Sequence, residues 1–387
     1  MMELICEKTD CTGCGMCANI CHQKAIEMVE KEHGFVFPKV NNDLCNECGL
    51  CKKKCPANSE KRNDSTVKGV FASWSINKKV RNQSTSGGIF SLLAEEILKD
   101  EGLVIGVAWD DKYHATHVAI EKPDELYKLR GSKYSQSDTA MIYQKIKSYL
   151  IDGRKILFSG TPCQNAALKS YLGKEYDNLF QVDLVCHGVP SARFLDEYLG
   201  SFKKSIKNVR LRYKDPYWDY TFVRVDFSDG THYQARTIDD PYFNLFNIGY
   251  SIRESCHRCK YTSLHRESDI TLADFWGYRA HDFKSRNYNY GTSLVLLNSE
   301  KGKRLFKTIG NYVYYEEANI DLAIKGNKCL KEPFIVEERE KSRFWDDYEN
   351  GVSIRELDKK YTEHSFVLPK HLTLRRLINK YRWILKR

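Results

Sequence analysis

Eight cysteines fall into two sets of identical spacing. Cys11, Cys14, Cys17 and Cys21 follow C-x2-C-x2-C-x3-C, and Cys45, Cys48, Cys51 and Cys55 repeat the pattern 34 positions later. Three thiolates on one tight loop can grip three iron corners of a cubane, while the fourth reaches across to a second cluster. The expected ligand sets are therefore Cys11, Cys14, Cys17 and Cys55 for one 4Fe-4S cluster, and Cys45, Cys48, Cys51 and Cys21 for the other. Tetrahedral zinc also takes C-x2-C pairs, but a third cysteine two residues further on has no place in a four-ligand zinc site. Cys6 falls outside both sets and reads as a buried apolar residue rather than a ligand.

Of the 14 cysteines, those beyond residue 56 are scattered. Cys163 in FSGTPCQ follows an expected strand and precedes an expected helix, and Cys186 in DLVCHG follows the next strand. Parallel strands with crossover helices bring their carboxyl ends to one edge of a sheet, so both sulfurs should emerge together. Cys256 and Cys259 in ESCHRCKY add a C-x2-C pair. A third 4Fe-4S cluster on these four is one reading; zinc on the same four, or two buried cysteines plus an unrelated pair, are equally open from spacing.

The elements that must position these residues can be read from periodicity. Residues 1–58 form the cysteine-rich segment, and 59–68, within the polar run ANSEKRNDSTVK, read as a linker. From residue 69 to 335, β-branched and aromatic runs (GVFASWSI, LVIGVAW, KILFSG, FQVDLVC) alternate with amphipathic ones (IFSLLAEEILK, MIYQKIKSYLIDG, CQNAALKSYL, SARFLDEYLGSF), the mark of a mixed α/β domain. VRLRYK, TFVRVDFSDG and THYQAR read as further strands with an Asp229-Gly230 turn. Residues 336–387 are charged and expected to be helical. In their last part Leu374, Leu377, Ile378, Tyr381 and Ile384 recur at helical spacing with basic residues between them, a face suited to an anionic membrane surface or an acidic partner.

Composition narrows the class. The formal charge is +10, but residues 369–387 contribute +7 of it and leave +3 for the rest. Anionic clusters would lower that further, so a nucleic-acid partner is not expected. No apolar stretch approaches the roughly 20 residues of a membrane span, and the acidic Glu3 and Glu7 break the layout of an export signal. A cytoplasmic setting without disulfides is expected.

Over roughly residues 5–58 the sequence resembles the bacterial two-cluster ferredoxins; Pro56 follows the last cysteine as in that pattern, whereas His22 replaces proline in the first half. Over residues 68–335, SGGIFSLLAEEIL, LRGSKYSQS, ILFSGTPCQNAALKSYL, DLVCHGVPS, CHRCKYTSLHRESDITLADFWG and SLVLLNSEKGKRLF, in this order, resemble the coenzyme F420 hydrogenase/dehydrogenase beta-subunit family. The resemblance implies an iron–sulfur flavoprotein with FAD, and cluster ligation by Cys163, Cys186, Cys256 and Cys259.

FAD rests on that resemblance alone, since no G-x-G-x-x-G follows a strand. Local chemistry compatible with it is found at Ser86, Gly87 and Gly88, which open a helix where free N–H groups favour phosphate. The short basic loop Arg130, Gly131, Ser132 and Lys133 suits phosphate or an acidic coenzyme tail. An ordinary N-cap and a surface turn are the plain alternatives. His187 could donate a proton near a flavin or substrate, or merely satisfy a backbone group. Asp274 could bond the flavin and Trp276 could stack on it, or the two could form a strand-end turn with a core indole.

The function expected from these residues and this resemblance is an oxidoreductase passing electrons between coenzyme F420, FAD, three 4Fe-4S clusters and a redox partner. A hydride brings two electrons and a cluster takes one, so a flavin that accepts pairs and releases singles belongs between them. A ferredoxin-fed reductase of an organic substrate and a non-enzymatic electron-transfer subunit are the alternatives.

Overall fold

The computed structural model describes residues 5–218, 220–278 and 290–362. In the N-terminal module, α1 (Met16–Ile20) and α2 (Leu50–Lys53) each start behind a left-handed glycine, Gly15 at φ 73° and Gly49 at φ 69°. Two residues earlier, Gly13 and Glu47 are also left-handed, at 65° and 55°. The 34-position repeat is thus a repeat of backbone: paired left-handed residues, cheap for glycine and strained for glutamate, curl each cysteine loop. An antiparallel hairpin of β1 (Ile26–Glu30) and β2 (Val36–Val40) joins the halves.

The body runs β3 (Gly69–Ser75), α3 (Lys78–Gln83), α4 (Ile89–Lys99), β4 (Leu103–Trp109), β5 (Ala115–Ile120), α5 (Ile142–Ile151), β6 (Ile156–Ser159), α6 (Pro162–Leu172), β7 (Leu179–Leu184) and α7 (Ala192–Gly200). A second, three-stranded antiparallel sheet follows, made of β8 (Ile206–Tyr217), β9 (Tyr220–Phe227) and β10 (His232–Arg236), with Gly230 at φ 83° in the β9–β10 turn. Then come α8 (Pro241–Asn247), α9 (Glu254–His257), β11 (Ile270–Asp274), β12 (Ser293–Leu297), α10 (Glu300–Thr308), β13 (Val313–Glu317), α11 (Ile320–Gly326), α12 (Glu338–Glu349) and α13 (Ile354–Thr362).

The main sheet has eight strands in the order β13-β3-β12-β11-β7-β6-β4-β5. Its centre, β11-β7-β6-β4, is parallel, and the flanking pairs are antiparallel. Alternation along the central strands sorts side chains to two cores. Leu103, Ile105, Ile156 and Phe158 face α5, α6 and the N-terminal module, whose Met16, Ile20 and Ile26 join the same cluster. Val104 and Leu157 face α4 and α10 on the other side. The fold is therefore a ferredoxin-like module packed on a mixed α/β body, as expected. Of the C-terminal extension, α12 and α13 cover 338–362; the amphipathic stretch around Leu374 to Ile384 lies outside the described residues. Among the described residues, no helix is long and apolar enough to cross a membrane.

Candidate metal and cofactor centre

The carboxyl ends of β6, β7 and β11 meet at one edge of the sheet, and β3, antiparallel to β12, ends there too. From β6 the chain turns through Thr161, which caps α6 in a reciprocal capping box with Gln164, and Cys163 is the second residue of that helix. Cys186 stands two residues past β7, and α9 carries Cys256. These three, Cys259 and also Cys329 line one small cavity of about 60 Å³. Burial holds the Cys186 thiol well above its ordinary value, with negative charge at Cys256, Cys163 and Cys259 adding to it. Burial likewise pushes Cys163 up to about 11 and Cys256 up to about 12. The hydroxyls of Ser135 and Ser255, both on the cavity wall, are buried without a partner among the described residues.

Among the described residues no three His, Cys, Asp or Glu converge on a single metal ion. Four sulfurs about 2.3 Å from one zinc would crowd within ~4 Å of each other, whereas a cubane spreads its thiolates and offers sulfides to hydroxyl donors. The donor set and the two orphaned hydroxyls fit a 4Fe-4S cluster.

The N-terminal sulfurs group by the crossed pattern. Cys17, raised well above its ordinary value mainly by burial, has Cys14, Cys11 and Cys55 as charged neighbours. Cys51, raised by burial, has Cys21 and Cys48. Cys48 is exposed and Cys51 buried, so the second set lies at the surface. The first set borders the sheet-edge cavity: Cys14, pushed up to about 12 chiefly by burial, feels Cys163, and Thr12 is part of that cavity's wall. Cys6 is partly exposed, and its thiol is held protonated by hydrogen bonds with Cys11 and Cys55. Cys11 is lowered to about 6, first by that Cys6 bond, with Arg253 assisting against burial.

A larger cavity of about 960 Å³ opens beside the small one, within the range of cofactor pockets. Ser86, Gly88, Arg130, Asp274, Trp276 and His187 all line it. The N–H groups starting α4 have no side-chain cap. Gly87 departs from the expected phosphate role: its N–H donates to Ser293 Oγ at 2.9 Å, and a Cβ there would lie 2.4 Å from the Ser73 carbonyl, so glycine is required by close strand packing. Lys133 departs as well. Its ammonium donates to the carbonyls of Lys128, Arg130 and Gly131, which uses all three protons, and burial lowers it to about 7. Gly131 and Ser132 also line the cavity, and Ser132 N–H donates to Thr85 Oγ1 at 3.3 Å. Arg130 donates to Ser91 Oγ and Gln83 Oε1. His187 Nε2–H donates to the Phe246 carbonyl at 3.2 Å, and burial lowers it to about 4, which keeps the ring neutral.

Asp274 is an ion-pair partner rather than a free carboxylate. It pairs with Arg212, and Trp218 Nε1 donates to it at 2.7 Å. Trp276 stacks on Trp218 with centroids 4.7 Å apart and planes 9° apart. Arg212, Trp218 and Tyr134, whose hydroxyl accepts from Arg212 Nη1 at 3.2 Å, were not singled out from sequence: they come from β8, the turn after it and a loop remote in the chain, and no spacing connects them to Asp274. Lys214, half-buried and lowered to about 7 mainly by desolvation, donates to the Ser86 carbonyl at 2.8 Å and pins the loop before α4.

Comparison with known proteins agrees with this architecture. Residues 70–143 match the profile of the coenzyme F420 hydrogenase/dehydrogenase beta subunit N-term, residues 153–322 that of its C terminus, and residues 10–59 a 4Fe-4S dicluster domain. The chain belongs to the coenzyme F420 hydrogenase/dehydrogenase beta-subunit family and carries an N-terminal 4Fe-4S dicluster domain, which places it among iron–sulfur oxidoreductases. Among curated proteins it is similar to an uncharacterized ferredoxin of Methanocaldococcus jannaschii, 28% identical over 58 residues, or 15% of this chain and 74% of that one. Among solved structures, a chain of the F420-reducing NiFe hydrogenase complex from Methanosarcina barkeri, determined as a xenon derivative, matches with 15% identity and a TM-score of 0.47, covering 75% of this chain and 97% of that one.

Proposed function

We propose that this protein is an iron–sulfur flavoprotein that moves electrons between a hydride carrier of the coenzyme F420 type and a redox partner, using FAD in the large cavity and three 4Fe-4S clusters. The observation that carries the proposal is a shared wall: Ser135, Thr161, Gln164, Cys186 and His187 line both the large cavity and the cysteine cavity, and Thr12 continues the second into the N-terminal module. When bound, the flavin supplies the conversion between electron pairs and the single electrons that clusters accept.

The residues would divide the work as follows. The uncapped first turn of α4, with Ser86, Gly88 and Arg130 beside it, would hold the pyrophosphate. Trp276, fixed in place by Trp218, offers a flat apolar face, and the Arg212–Asp274 pair fixes the polar end of that wall. The neutral His187 and the rings of Phe246 and Phe334 against it keep water from the boundary between the cavities. Cys163, Cys186, Cys256 and Cys259 would hold the cluster nearest the flavin, followed by the first and second N-terminal sets.

Anaerobic purification with iron, sulfide and flavin measured together tests this reading. About twelve irons and one FAD per chain support it, whereas about eight irons remove the third cluster. Iron and sulfide without flavin point to an electron-transfer subunit. Mixing with reduced F420 should bleach the flavin absorbance; an unchanged spectrum overturns F420 as the carrier and leaves a ferredoxin-fed reductase.

A further inference from the structure

Two arginines are buried beside the cysteines, and they differ in one respect. Arg266 donates to Asp183 Oδ2 at 2.8 Å, with the two side chains 1% and 0% exposed, so its charge is balanced within the chain. Arg253, 1% exposed, has no carboxylate within ion-pair distance among the described residues. Its Nε donates to the Cys11 carbonyl at 2.6 Å, Nη1 to Gln136 Oε1 at 3.0 Å and Nη2 to the Val36 carbonyl at 2.9 Å, all neutral acceptors. The rings of Phe35 and Phe37 lie 5.3 and 4.3 Å from the guanidinium carbon. The turn at Gly13 is shaped around this group, since a Cβ there would lie 2.9 Å from Arg253 Nη1 and 2.2 Å from Gln136 Nε2.

A buried, unpaired charge is among the costliest things a fold can contain, and arginine does not escape the cost by releasing its proton. The compensating charge has to be close. Arg253 touches the Cys11 loop of the first set, and its charge also acts on Cys256 of the sheet-edge set, three residues along the chain. A 4Fe-4S cluster with four thiolates carries about −2 oxidised and about −3 reduced.

We propose that the Arg253 guanidinium is the counter-charge shared by the first and third clusters, and that it holds both reduction potentials up. This rests on the cluster assignment made above. Arg253 touches no substrate; it is a positioning residue that acts through the clusters. Because reduction adds negative charge next to a fixed positive one, Arg253 favours the reduced form of both neighbours and leaves the surface cluster of Cys21, Cys45, Cys48 and Cys51 unaffected.

The test is a redox titration of the full-length protein, prepared anaerobically and followed by paramagnetic resonance, with iron content measured alongside. Arg253→Gln keeps hydrogen-bonding capacity and removes the charge. It should lower two of the three midpoint potentials, each by about tenfold or more in the reduced-to-oxidised ratio at fixed potential, which is about 59 mV for one electron. Arg253→Lys keeps the charge and loses the planar fork, and should stay near the wild type. Full iron with unshifted potentials in R253Q, an equal shift in R253K, or a uniform shift of all three clusters overturns the proposal. If R253Q does not assemble, Gln136→Glu retains the arginine and sets a carboxylate against its Nη1; the same two potentials should fall, and no change overturns the proposal. A wild-type protein without cluster signals overturns the cluster assignment itself, an outcome visible before any variant is made.

Discussion

The N-terminal cysteines and the sheet-edge cysteines are gathered by opposite routes. In the module, each loop gathers three sulfurs within seven residues, using left-handed turns at Gly13, Gly15, Glu47 and Gly49. At the sheet edge, Cys163 and Cys186 come from the ends of adjacent parallel strands, Cys256 from α9 and Cys329 from beyond α11. The first kind of site depends on a few backbone angles. The second exists only when the whole sheet is in register.

The largest expected effect separates the two routes directly. Cys186→Ser should reduce iron from about twelve to about eight per chain and leave two cluster signals. Cys55→Ser should cost the same amount of iron but remove the first set, although Cys55 lies in the second repeat. Iron and acid-labile sulfide analysis checks both, and an undiminished iron content in C186S would break the comparison. Next, Asp274→Asn leaves Arg212 buried with half of its partner gone and should destabilise the body by about 3 kcal/mol. Anaerobic denaturant unfolding measures this, and a loss below about 1 kcal/mol would mean that Arg212 re-pairs.

Within the module, two equivalent loops can be set against each other. Gly13→Ala meets both a left-handed backbone and the side chains of Gln136 and Arg253, whereas Gly49→Ala meets the backbone strain with open space around it. Losses of about 2–3 and about 1 kcal/mol are expected in the same unfolding assay, and equal losses would show that backbone strain alone decides. The last effect is one of pH. Lys133 is lowered to about 7 in the folded protein by burial, against about 10.4 unfolded, so between these values the unfolded chain binds more protons. Stability should rise with pH across that window, by at most about 1.4 kcal/mol per pH unit. Lys133→Met should flatten the slope.

What could be read in the sequence followed the same division. The eight N-terminal cysteines repeat one local spacing, and the crossed grouping was expected from that repeat. Cys163 and Cys186 were readable one level up, because two strand–helix transitions imply a common edge. Arg253 was not readable: its partner carbonyl at Cys11 is 242 positions away, and nothing near Arg253 marks it as more than a surface charge before a C-x2-C pair. The same holds for the Arg212–Asp274–Trp218 group. Gly87 and Lys133 show the opposite failure. Their donors look available in sequence, but neighbouring strands and the turn at 128–131 use them in the folded chain.

The ferredoxin-like module is tied firmly to the body. Met16, Ile20 and Ile26 share a hydrophobic cluster with α5 and α6, while Thr139, Tyr143 and Gln144 donate to main-chain carbonyls of the first cysteine loop and α1. Such a joint does not come apart without unfolding part of the body, so the ferredoxin-like segment is no swinging arm that carries its load to a distant dock. Under the proposed function the redox partner would instead come to the solvent-facing loop around Cys48.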